Sequence, residues 1–180
     1  MRRTFPRESV LSATSQDSEC EDAPVPKRPG RLIALVAAVL VAATAAYLLL
    51  PPRQTGDVAV PPRDASPEQV VAAYLDAVNA HDCDTAEALM TADAEDRATS
   101  WCEDVASLED VDIHDHFTER PKDSGHSAPE EVANVPVTFD LNWRLFHNDG
   151  SMDEGATSWG YLLVRDSADS PWRIFDQGTG

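Results

Sequence analysis

Few side chains in this sequence stand at spacings that chemistry uses. Cys83 and Cys102 lie beyond a long apolar run, and Cys20 precedes it. A short helical hairpin would bring Cys83 and Cys102 together, and oxidising surroundings favour a disulfide between them. Closing a loop of about 20 residues would stabilise the fold by roughly 3 kcal/mol. Two free buried thiols, or a redox pair, are the alternatives. His114 and His116 share a strand face with Asp112, and Asp110 is close by. Alternate strand residues can chelate zinc, but no fourth ligand is identifiable. A solvated acidic face explains these side chains, so no metal is expected. The Asp-rich runs lack the glycine of a calcium-binding loop. No nucleophile elbow, phosphate loop or triad spacing is present. The reading is a non-enzyme without a cofactor.

The charges say where such groups must work. Lys plus Arg number 14 and Asp plus Glu 32, a formal charge of −18. Residues 1–31 carry six basic and five acidic side chains, residues 32–50 none, and residues 51–180 eight basic against 27 acidic. A nucleic-acid partner is excluded, because it needs a basic face.

The uncharged block is LIALVAAVLVAATAAYLLL, residues 32–50, with no Gly or Pro. A helix of this length spans roughly 29 Å, near the thickness of the bilayer's hydrocarbon. It has no polar stripe. Pro51 and Pro52 end it, and Tyr47 suits an interfacial anchor. Lys27, Arg28 and Arg31 precede the block and only Arg53 closely follows it. The N-terminus is therefore expected in the cytoplasm and the C-terminal domain outside the plasma membrane. A cleaved signal peptide is the alternative, from the small-x-small Ala43-Thr44-Ala45. The run continues to Leu50 after a 31-residue leader, which favours an uncleaved anchor. Arg2-Arg3-Thr4-Phe5 has the form of a twin-arginine signal, but Pro6 and the distance to the apolar run argue against export by that route. Ala34, Ala38, Ala42 and Ala46 form a small-residue row through which two helices could associate. Residues 1–31 are too polar to fold alone. Residues 51–65 form a Pro-rich linker that, extended, holds the next domain up to roughly 45 Å from the bilayer.

The elements that must position the candidate groups lie in residues 66–180. Ser66-Pro67-Glu68-Gln69 is a capping box with Pro in the first turn. Val70, Val71, Tyr74, Leu75 and Val78 follow at helical spacing. Asn79 to Asp82 breaks that helix. Asp84-Thr85-Ala86-Glu87 opens a second, short one, and Thr91 to Trp101 forms a third. The period then changes to two. Val111, Ile113, Asp115 and Phe117 suggest a first strand. Val135, Val137, Phe139, Leu141, Trp143 and Leu145 alternate without a fault and predict a second. Asn148-Asp149-Gly150 is a turn. Thr157–Arg165 and Trp172–Phe175 complete an antiparallel meander. The class is α+β, about three helices packed on one face of a curved antiparallel sheet of about four strands.

The opening PEQVVAAYLDA from Pro67, the His81-Asp82 break, the short Thr85–Met90 helix and the closing Trp172-Arg173-Ile174-Phe175-Asp176 resemble the nuclear transport factor 2-like superfamily. That cone-shaped, cystatin-like fold is shared with SnoaL-like cyclases and ketosteroid isomerases. The layout of tail, anchor and cone is similar to Mce-associated membrane proteins of actinobacteria and to inner-membrane scaffold proteins of type IV secretion. Twelve Arg against two Lys suits a high-GC genome. The resemblance implies a cone whose interior can hold a ligand, lined here by Tyr74, Asp115, Phe139, Trp143 and Tyr161. It also implies an open sheet face, with Asp140, Asn142 and Arg144, on which an envelope protein could dock. The expected function is a membrane-anchored, non-catalytic interaction or accessory module. A small-ligand-binding cone is the alternative, and a SnoaL-like enzyme the third reading.

Overall fold

The computed structural model describes residues 29–127, 130–147 and 152–179, and within the first helix the side chains of 32–46 and 48. The tail with Cys20, the anchor tyrosine Tyr47 and the turn at Asn148–Gly150 fall outside the described residues or side chains. The chain divides into two compact units after Ala42. The first helix, α1, runs Pro29–Leu49. Leu32, Ile33, Leu35, Val36, Val39, Leu40 and Val41 on it are 58–71 % exposed. Over the described side chains no helix is long and apolar enough to cross a membrane.

The second unit carries the remaining elements: α2 (Pro67–Ala80), α3 (Cys83–Ala88), α4 (Glu95–Asp104), β1 (Val105–Ile113), β2 (Phe117–Glu119), a short 3-10 helix (Pro121–Ser124), β3 (Glu131–Trp143), β4 (Gly155–Arg165) and β5 (Arg173–Gly178). It is a mixed α+β domain. Its antiparallel sheet has the order β1-β3-β4-β5, with β2 also paired to β3.

The capping box forms as the sequence dictates. Ser66 accepts from Gln69 N–H, and the Gln69 side chain accepts from Ser66 N–H at 2.9 Å. α2 runs past Asn79 to Ala80 and stops at His81, which adopts the left-handed conformation at φ 52°. Asn79 is itself a clamp: its amide bonds both the N–H and the carbonyl of Leu108, at 2.7 and 3.0 Å. The side chain thus pairs with β1 as a neighbouring strand would. α3 is capped by Asp82 rather than Asp84, through the Thr85 N–H. The other Asp82 oxygen accepts from Val58 N–H at 2.9 Å. That bond, with Thr55 N–H to the Ala80 carbonyl at 2.8 Å, lays the linker along the domain. The extended 45 Å spacer expected from its prolines is therefore not formed beyond Gln54.

The expected first strand is displaced. β1 leaves α4 with no loop, beginning six residues before Val111, and carries register shifts at Val105/Ser107 and Glu109/Asp112. Asp110 takes φ 48° at the second. A bulge shifts the alternation by one residue, so Leu108 is buried before it and Ile113 packs against the core after it, while Val111 stays exposed. Asp115 then lies beyond the strand end, exposed and away from the interior. In β3 the alternation holds for Val135, Val137, Phe139 and Leu141, all buried, and for half-buried Trp143. It fails at Leu145, because the strand has ended. The meander β3-β4-β5 pairs antiparallel as expected, with a fifth strand, β2, unforeseen.

Candidate functional site

Three elements bring polar atoms to one buried point. Tyr74 stands on the inner face of α2 beside Leu75 and Val78. Tyr161 stands on β4 opposite Gln177 of β5. Both tyrosines are fully buried, their rings edge to face at 5.6 Å between centroids. Among the described residues neither hydroxyl has a hydrogen-bond partner, and nor has Gln177 Oε1. Burial raises the Tyr74 phenol well above its ordinary range. The nearby Gln177 carboxamide and the Arg97 charge oppose that rise, though Gln177 does not reach hydrogen-bond geometry. Burial, then Tyr74 itself, raises the Tyr161 phenol too. These groups therefore stay protonated and act as donors, not as bases. Each orphaned polar group costs about 1–3 kcal/mol.

Aromatic side chains pack beside this point. Phe139 and Leu141 are buried, and Trp101 of α4 meets Phe139, Trp143 and Trp159 at 6.2, 6.3 and 5.7 Å. Trp143 Nε1 donates to the Met152 carbonyl at 3.2 Å, while the buried Trp159 Nε1 has no partner among the described residues. The sequence reading placed Tyr74, Tyr161, Phe139 and Trp143 inside, and the structure brings them to the interior. It missed Trp101, Trp159 and Gln177. Trp159 was legible from its alternation in β4. Gln177 was not, because it follows the stretch identified as the last strand.

At the rim Arg97 of α4 pairs with Asp176 of β5, both about half exposed. The loop after α3 is stitched to the same strand: Thr91 N–H donates to the Ile174 carbonyl at 2.8 Å, and Ile174 N–H to the Leu89 carbonyl at 3.0 Å. Cys83 and Cys102 form a disulfide with Cα atoms 5.6 Å apart, joining α3 to α4.

Of the groups considered for metal binding, His116 pairs with Glu68. His116 N–H and its Nδ1 face one Glu68 oxygen at 3.0 and 2.5 Å. Partial burial pushes the Glu68 carboxyl up, but bonds from Ser66 and His116 outweigh it and hold it at about 2. The pair fastens the β1–β2 connection to the start of α2. Among the described residues no three His, Cys, Asp or Glu side chains gather as metal ligands.

The outer sheet face is polar. Asp140 and Asn142 lie on it, paired across the sheet with Glu109 and Ser107. Asn142 Nδ2 donates to Ser107 Oγ at 3.2 Å. A shallow hollow of about 250 Å³ there is lined by Asp110, Thr138, Asp140, Ala156, Thr157 and Ser158, with Phe139. Arg144 does not share this face. It follows the end of β3, and its guanidinium donates to the carbonyls of Glu103 and Leu50, at 2.5 and 2.8 Å.

Residues 68–178 match the family described as a domain of unknown function, DUF4829. No curated protein matches the chain.

Proposed function

The chain belongs to the DUF4829 family, and we propose that it is a membrane-anchored, non-catalytic interaction or accessory module of the cell envelope. One span, α1, would hold an extracytoplasmic domain of the nuclear transport factor 2-like kind, with the tail on the cytoplasmic side. The observation that carries the anchor is the band of apolar side chains on α1, 58–71 % exposed and free of charge over residues 32–50. A helix apolar on every side needs lipid or protein around it. The non-catalytic reading draws support from the interior. The buried titratable side chains among the described residues are two protonated tyrosines and Asp82, and Asp82 caps α3. General acid–base catalysis needs a group that changes protonation near working pH. The polar outer face, with Asp140 and Asn142, is the docking surface of this reading, and its partner is an envelope protein with basic groups. Self-association through Ala34, Ala38, Ala42 and Ala46 is compatible with it, since these side chains are exposed.

Cross-linking of the full chain in native membranes, with Asp140→Lys and Asn142→Arg as controls, tests the docking face. A reproducible envelope partner lost in both variants supports the proposal. Cross-links unchanged by them, or none at all, count against it. Alkaline extraction and protease accessibility from each side test the anchor and its orientation.

One observation favours a second reading, a small-ligand-binding cone. Tyr74, Tyr161 and Gln177 offer two donors and an acceptor with no partners among the described residues. A ligand carrying a carbonyl or hydroxyl would satisfy them. Loss of a bound small molecule in Tyr161→Phe, read by native mass spectrometry, would select it.

A further inference from the structure

The second unit carries an apolar tip that its own fold leaves uncovered. β3 ends at Trp143, and the chain then exposes Leu145 by 63 % and Phe146 by 82 %. Phe146 takes φ 69°, a region that bulky side chains enter only at a cost. Its neighbours fix it there. Arg144 bonds the Leu50 carbonyl at 2.8 Å. His147 faces the Asp104 carboxylate at 2.7 Å and the Leu48 carbonyl at 3.4 Å. Leu145 also joins Ala46, Leu48, Leu50 and Trp143 in lining an apolar groove of about 820 Å³.

The tether is short. Thr55 is bound to the end of α2, so only Pro51 to Gln54 separate it from Leu50. Six steps of about 3.5 Å keep Thr55 within roughly 21 Å of Leu49, where α1 ends. The domain cannot stand far from whatever surrounds that helix.

We propose that Leu145 and Phe146 insert into the interfacial layer of the lipid bilayer where α1 leaves it, docking the domain on the membrane. The proposal rests on α1 being the anchor. Side chains of this type settle between headgroups and acyl chains. Arg53 and Arg144 line the same groove and suit headgroup phosphates. Residues 51–180, at net −19, are repelled by anionic lipid, so apolar insertion rather than charge must hold the domain down.

The test uses the full chain, with Cys20→Ser to leave one labelling site, in vesicles of phosphatidylcholine and phosphatidylglycerol. Nitroxides are placed at Leu145→Cys or Phe146→Cys, at Val39→Cys in α1, and at Ser167→Cys in an exposed turn. Collision rates with oxygen and with a water-soluble nickel chelate are compared. The expected result is a several-fold preference for oxygen over nickel at 145, 146 and 39 relative to 167. Phe146→Asp should abolish that preference at 145. If 145 and 146 behave as 167 while 39 prefers oxygen, the anchor stands and the docking is refuted. If 39 also behaves as 167, the anchor reading fails and the docking with it.

Discussion

Replacing Tyr74 by Phe should stabilise the domain, against the usual direction of core substitutions. The hydroxyl is buried without a partner among the described residues, so its removal should return about 1–3 kcal/mol of desolvation. The phenyl ring keeps its edge-to-face contact with Tyr161 at 5.6 Å. A void of roughly 15 Å³ costs about 0.4 kcal/mol at ~24 cal/mol per Å³. Gln177 Oε1 is already unpaired, so no new orphan appears. The net gain is about 1 kcal/mol, and the midpoint should rise by about 4 °C for a domain of this size. Near-ultraviolet circular dichroism of the full chain in detergent reads it through the Trp101 cluster, which α1 does not share. A double variant with Gln177→Leu should add with little coupling, below about 0.5 kcal/mol. A fall of a few degrees in Tyr74→Phe would refute the reasoning, because it would mean the hydroxyl holds a partner. The pH dependence has a fixed sign. Burial raises both phenols above 10, so their contribution is complete below pH 10 and is lost as pH climbs through the folded pKa. Tyr74→Phe should flatten that alkaline limb.

Three further outcomes can be measured. Replacing Cys83 and Cys102 by Ser should cost about 3 kcal/mol, the closure entropy of a loop of about 20 residues. Wild type melted in reductant should show the same loss, and equal melting curves with and without reductant would contradict it. Glu68 is held at about 2 against an ordinary 4.5, so its contribution is present above pH 4.5 and lost as pH falls towards 2. Glu68→Gln should remove on the order of 1 kcal/mol of that acid-sensitive stability after solvent screening, seen as a flatter acid limb in urea titrations. Asp82→Ala should cost about 1 kcal/mol as a lost cap and free Val58 from the domain. Hydrogen exchange should then speed at Val58 and Thr85 together, and unchanged protection at Val58 would break the link between cap and linker.

The sequence by itself determined whatever short-range chemistry sets. The capping box at Ser66, the three helices after the linker, the alternation through Val135 to Leu141 and the closing meander were legible. Each depends on neighbours a few residues apart. The Cys83–Cys102 bridge was legible from an expected hairpin, and Tyr74, Phe139, Trp143 and Tyr161 from their faces. What tertiary structure decided came from long-range partners. β1 could not be placed, because its bulges answer to β3 and to the Asn79 clamp, some thirty residues away in either direction. The second bulge turned Ile113 rather than Val111 inward, and Asp115 fell beyond the strand end. Leu145 and Arg144 left the expected faces because the strand closes against the end of α4. The linker lost its reach because Ala80 and Asp82 offer acceptors that no periodicity reveals. Gln177 joined two tyrosines through strand pairing. Local pattern fixes which side chains a segment presents, and only packing of distant segments decides which of them meet.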